Sequence, residues 1–252
     1  MKKILYIFLA IYMALVSSHA ATRGDVKVIE ASENIRYLTQ KIIKSYLHLY
    51  RNPKKKSIKH DISESLNRLS DSFRDIAITT KDSDSKDMLD YLMFSKDEIE
   101  GIANKKANDE QALLMLDYSE ALLEGVRSIE DAHKYDFSQE EKMLIATQKM
   151  TYLLERIIKH YMAFKMNLNV KINKKQMKIA IINFEDNLQK INAYDYPHDV
   201  DDIRAKINKF WKVNRDFFTK ADKLFIPNLL SDSMVYLEGT IAQIALYHSK
   251  NQ

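Results

Sequence analysis

The amino-acid sequence predicts an all-α protein, a tandem duplication of an antiparallel four-helix bundle. Three observations predict it: turn-forming residues are scarce, apolar residues recur at helical spacing, and the second half of the chain repeats the first. The 252 residues include 4 Gly, 3 Pro and no Cys, where average usage is roughly 7% Gly and 5% Pro. β-Sandwiches and βαβ folds need those residues at many turns. Hydrophobic residues at 46% and charged residues at 29% are the balance of a folded chain, not of a disordered one. The lack of Cys excludes disulfides, thiol catalysis, Fe–S clusters and Cys-ligated zinc.

The repeat has a fixed period. Arg36-Tyr-Leu-Thr-Gln-Lys-Ile-Ile-Lys-Ser-Tyr46 aligns with Thr151-Tyr-Leu-Leu-Glu-Arg-Ile-Ile-Lys-His-Tyr161 at an offset of 115. At the same offset Ile62, Leu66, Leu69, Phe73 and Ile76 map onto Met177, Ile181, Phe184, Leu188 and Ile191. Both sets follow the alternating four-and-three spacing of one buried helix face. Ser119-Glu-Ala-Leu-Leu-Glu-Gly125 meets Ser233-Met-Val-Tyr-Leu-Glu-Gly239 at an offset of 114, so one residue is lost in a loop. Glycine within a helix costs roughly 1 kcal/mol relative to alanine, so Gly125 and Gly239 are expected where helices approach closely.

Each unit then holds four helices. The first unit (21–135) has them at 25–50, 58–79, 85–105 and 109–133. The second (136–252) has them at 139–168, 173–192, 199–220 and 227–249. Pro53 and Pro197 fall in breaks, and Pro227 sits where a first-turn proline is tolerated. Ser138 and Glu141 form a capping box that opens the fifth helix. The fourth and fifth helices, separated only by 133–137, are close enough in sequence to run on as one rod.

Residues 1–20 have the pattern of a secretory signal peptide. Lys2 and Lys3 precede an apolar run of 13 residues, Ile4 to Val16, and then Ser17-Ser18-His19-Ala20. A membrane span needs about 20 apolar residues, so cleavage after Ala20 and a periplasmic location are expected over a retained anchor. Removing two of the 39 basic residues and none of the 35 acids takes the formal net charge from +4 to +2. A nearly balanced charge gives no argument for a nucleic-acid partner.

The segment Arg36-Tyr-Leu-Thr-Gln-Lys-Ile-Ile-Lys44 resembles the signature of the periplasmic PilJ-type domain. That domain belongs to the methyl-accepting chemotaxis transducers of type IV pili and is related to nitrate/nitrite sensors. Arg36, Leu38, Gln40, Ile42 and Lys44 match the family pattern, Thr39 replaces serine and Lys41 replaces arginine, while Tyr37 and Ile43 depart from it. In the second unit Leu153, Arg156, Ile157 and Lys159 fit, but Thr151 stands in place of the leading arginine. The resemblance implies a four-helix bundle and a small-oxyanion site held by the leading arginines of two first helices. Carried over, the ligand-binding residues are Arg36, Gln40 and Thr39, with Thr151, Glu155 and Arg156 as second-unit equivalents. A guanidinium offers a planar fork of donors to a planar oxyanion.

Two departures leave alternatives. If the two units pack as a pseudo-dimer, Thr151 leaves a single leading guanidinium. Then the ligand differs, or the chain forms a homodimer through its first helix, or the pocket is lost. The resemblance also implies membrane helices and a cytoplasmic output, which this sequence does not carry up to Gln252, so a membrane receptor or kinase is the expected partner. By helical angle Arg36 lies at the flank of the core, and Lys41 and Lys44 are expected on a solvated face.

Nothing in the chain spells an enzyme. Among the seven histidines there is no His-Glu-x-x-His pattern and no i, i+4 pair, so neither a metal nor another cofactor is expected. P-loop, nucleophile-elbow and dinucleotide motifs are missing. Two functions stand: a periplasmic sensor-like binding module for an oxyanion such as nitrate or nitrite, and a structural scaffold of the cell envelope with no small ligand.

Overall fold

A computed structural model describes residues 23–221, 223 and 226–252; the expected signal peptide lies outside them. The described residues form eight helices and no strand. They are α1 (Arg23–Arg51), α2 (Lys56–Thr79), α3 (Ser83–Ala103), α4 (Asp109–Ala132), α5 (Gln139–Lys165), α6 (Val170–Asn192), α7 (His198–Thr219) and α8 (Pro227–Lys250). The chain is therefore all-α. The apolar faces read from the sequence supply the core, as Leu69, Phe73 and Ile76 of α2 and Phe184, Leu188 and Ile191 of α6 are all buried.

Local chemistry sets the ends of the helices. Ser138 and Glu141 close the capping box on α5, at 3.2 and 2.7 Å. Asp82 accepts from the Ser85 N–H at 2.7 Å to cap α3, and Asn108 from the Gln111 N–H at 2.8 Å to cap α4. These bonds satisfy donors that a helix start leaves open. α4 and α5 do not run on as one rod. The chain leaves the helix at His133 and re-enters at Gln139.

Packing follows the same scheme in both halves. α1 packs on α2 and α4, and α3 packs on α4 and, more sparingly, on α2. In the second half α5 packs on α6 and α8, and α7 on α8 and sparingly on α6. This arrangement is compatible with a duplicated bundle. The two rings of four helices are joined through α1 and α5, which pack against each other.

The two glycines singled out by the repeat behave differently. A Cβ on Gly125 would lie 2.5 Å from Cδ2 and 2.9 Å from Cγ of Leu92, so α3 and α4 do approach closely there. A Cβ on Gly239 would meet nothing within 4 Å. The close-approach expectation thus fails for Gly239, because that face of α8 borders an open cleft. Gly239→Ala should raise stability by up to about 1 kcal/mol through helix propensity. Gly125→Ala should lower it by about 1–3 kcal/mol through overpacking against the fully buried Leu92, with urea unfolding as the measurement.

Candidate functional site

α1 and α5 each have three helical neighbours, so these two helices have little solvent face. They run in the same direction. Helical spacing puts Ser32, Arg36, Gln40, Ile43 and Leu47 of α1 along the seam, and Thr147, Thr151, Glu155, Ile158 and Met162 of α5 at the equivalent positions. The seam is apolar in its C-terminal half and polar in its N-terminal half.

Buried charges in the polar half are neutralised by neighbours. Arg36, 8% exposed, pairs with Glu33 at 3.1 Å and with Glu130 of α4. Lys149 of α5 stands 3.9 Å from the other oxygen of Glu130. Lys44 pairs with Glu155 at 2.6 Å; it is not on a solvated face, because α5 covers that side of α1. Farther along α5, Arg156 forms a two-pronged pair with Glu120 at 2.9 and 2.7 Å and donates to Gln176 at 3.1 Å. The fully buried Lys159 reaches Glu120 at 2.8 Å and Ser119 at 2.9 Å.

Burial and these charges move the proton affinities. Burial pushes Glu33 up to about 7, against the pull of Arg36 and with a further push from Glu130. Burial works to raise Glu120 too, but Lys159 and Arg156 hold it down at about 2. Burial draws Lys159 down to about 8, with Glu120 opposing. Glu238 of α8 is raised well above the carboxylate range by burial and by the neighbouring Glu155, and the Tyr37 hydroxyl donates to it at 3.4 Å.

Two clefts flank the seam. The larger, about 560 Å3, is lined by Arg36, Lys149, Tyr152, Arg156, Glu124 and Asn183 among others. The smaller, about 350 Å3, is lined by Thr151, Asn34, Tyr37, Glu238 and Arg68 among others. These five are the repeat equivalents of Arg36, Lys149, Tyr152, Glu124 and Asn183. The clefts are therefore the same place seen from each half, and the larger one is far more heavily charged.

The six residues expected at a ligand site are dispersed. Arg36 and Arg156 come together at the large cleft. Thr151 lies at the small one, its hydroxyl donating to the Gln148 carbonyl at 2.8 Å. Glu155 is buried against Lys44. Thr39 and Gln40 are fully buried, and neither the Thr39 hydroxyl nor the Gln40 amide has a hydrogen-bond partner among the described residues.

Sequence reasoning missed a second constellation, which occurs twice. His133 at the end of α4 contacts Asp25 through Nδ1 at 2.9 Å and the Thr80 hydroxyl through Nε2 at 2.9 Å. His248 at the end of α8 contacts Glu140 through Nδ1 and the Tyr196 hydroxyl through Nε2 at 2.8 Å. Asp25 and Glu140, like His133 and His248, are 115 apart. Each histidine clasps the start of its unit's first helix and the link between its second and third helices. The repeat offset applied to the histidines would have found the pair. Among the described residues no His, Asp and Glu cluster has the makings of a metal site.

No protein family, curated protein or solved structure matches the chain.

His133→Ala and His248→Ala should each lower unfolding free energy by about 1–3 kcal/mol, because each removes a ring nitrogen from a buried hydroxyl, that of Thr80 or of Tyr196. Glu33 sets a pH dependence. Its folded value lies above the unfolded one, so its contribution is fully present below pH 4.5 and is lost as pH rises through about 7. The loss is on the order of 3 kcal/mol. Urea midpoints for Glu33→Gln should be flatter than wild type across that window; parallel pH profiles would refute the assignment.

Proposed function

We propose that the protein is an exported, non-enzymatic binding module of the sensor type. It takes a small oxyanion or carboxylate in the large cleft beside α1 and α5 and acts through a membrane receptor. One observation carries this reading. Arg36 and Arg156, from the two repeated first-helix segments, line one cleft together with Lys149 and Tyr152. Two guanidiniums lining one cleft support a comparison with the pair that the PilJ-like resemblance places across a dimer, although Arg156 is one helical turn and one residue beyond the equivalent of Arg36. The 3.9 Å gap between Lys149 and Glu130 is too long for a hydrogen bond. The lysine therefore keeps donors for an incoming anion.

A second reading rests on a different observation. Both guanidiniums in the cleft already hold carboxylates, Arg36 with Glu33 and Glu130 and Arg156 with Glu120. A cleft neutralised in this way suits a scaffold of the envelope that binds no small ligand.

Thermal melts against nitrate, nitrite, sulfate and small carboxylates separate the two. The sensor reading expects a saturable rise in Tm for at least one anion, lost in Lys149→Ala. That partly exposed position is chosen because Arg36→Ala strands two buried carboxylates and is expected to unfold the seam. No saturable shift with any anion would overturn the binding reading and leave the scaffold.

A further inference from the structure

The smaller cleft beside the seam holds opposite charges that do not meet. α1 packs on α2 and α5 packs on α8, so α2 and α8 wall this cleft and the seam floors it. Arg68 lines it from α2 and Glu238 from α8. In the large cleft Arg36 and Arg156 are taken by Glu33, Glu130 and Glu120. Arg68 is exposed and, among the described residues, forms no ion pair with Glu238 or with any other carboxylate.

Tyr37 of α1 links the two walls. Its hydroxyl donates to Glu238 at 3.4 Å, and Arg68 is near enough to oppose the rise that burial gives that hydroxyl. Glu33, also at the cleft and 3% exposed, accepts from Arg36 through Oε1. Its Oε2 has no hydrogen-bond partner among the described residues. Gly239 keeps the α8 wall open, since a Cβ there would meet nothing within 4 Å. Val235 and Ala242 supply the apolar part of the lining.

A guanidinium on one wall and a carboxyl on the other, held apart, are the complement of a small zwitterion. The guanidinium offers a carboxylate a fork of two donors, and the carboxyl accepts from an ammonium. The cleft, about 350 Å3, lies in the range of small-molecule sites, roughly 300–1,000 Å3. We propose that the small cleft binds a free α-amino acid with an apolar side chain. Its carboxylate meets Arg68, its ammonium meets Glu238, and its side chain lies against Val235 and Ala242 beside Gly239. No residue lines both clefts, so this site does not rest on an anion in the large one. Burial and Glu155 raise Glu238, against Lys44 and Lys41, so an ammonium arriving there displaces a proton.

L-Leucine is the probe, titrated into the purified chain by calorimetry at neutral pH in buffers of different ionisation enthalpy. One equivalent should bind with release of a proton. Arg68→Gln changes an exposed side chain, where folding should be unaffected, and should weaken leucine by about tenfold or more. Gly239→Leu fills the open space of the cleft and should abolish binding without lowering Tm. Lys149→Ala, at the large cleft, should leave leucine affinity unchanged. 4-Methylpentanoate, which lacks the ammonium, and 3-methylbutylamine, which lacks the carboxylate, should each bind about tenfold more weakly than leucine. Absence of saturable leucine binding, or unchanged affinity in Arg68→Gln or Gly239→Leu, would overturn the proposal. So would 4-methylpentanoate binding as tightly as leucine, or leucine binding with no proton released, since Glu238 would then hold no ammonium.

Discussion

The contact between α1 and α5 is the constraint on which the rest of the structure depends. Each of these helices is covered on three sides, so a charge on a covered face must find a counter-charge inside the protein. Water cannot do it for Lys159, which is fully buried, nor for Glu155, which is 2% exposed. Taking an ion out of water costs several kcal/mol. The answer here is local pairing across helices, Lys44 with Glu155, Lys159 and Arg156 with Glu120, and Arg36 with Glu33 and Glu130. Such pairs add little net stability against an apolar seam. They do penalise every other register. A slip of one turn between α1 and α5 would strand Lys44 and Glu155 together.

The same pairing explains how two halves with one framework come to differ. The ends are kept alike, since each unit closes with an acid, a histidine and a hydroxyl from equivalent segments. The seam is not. Arg36 faces a position where its equivalent is Thr151, and Gln40 is matched by Glu155. One flank of the seam thereby concentrates the guanidiniums, and the other keeps Thr151 and Tyr37. A true homodimer could not do this, because symmetry would force both flanks to be identical. A single chain whose halves differ in sequence is free of that requirement.

Helix positions were legible in the sequence because periodicity reports which face is buried, and the observed bounds differ from the expected ones by a few residues. The neighbour on that face was not legible. The angular position of Lys44 is the same whether water or α5 lies opposite, and only the packing of the two units decides it. Gly125 and Gly239 are alike in sequence and differ in space, because α3 crosses close to one while the other borders the small cleft. For the candidate site, Arg36 and Arg156 could be nominated from residue type, but Glu130 and Glu120, which hold them, come from α4. No spacing in the chain ties α4 to either arginine.

The shared use of Arg36 bears on how any anion could enter the large cleft. Glu33 and Glu130 contend for one guanidinium, and Glu33, the more deeply buried of the two, is already raised to about neutral pH. An oxyanion that entered beside Arg36 and Lys149 with Glu130 still in place would add a negative charge within reach of Glu33. Repulsion would then favour the protonated form of Glu33, so binding would take up a proton. Affinity for such an anion would rise as pH falls through the neutral range. The anion's charge would be matched without a second free arginine, because a neutral Glu33 releases Arg36 from one of its two carboxylates.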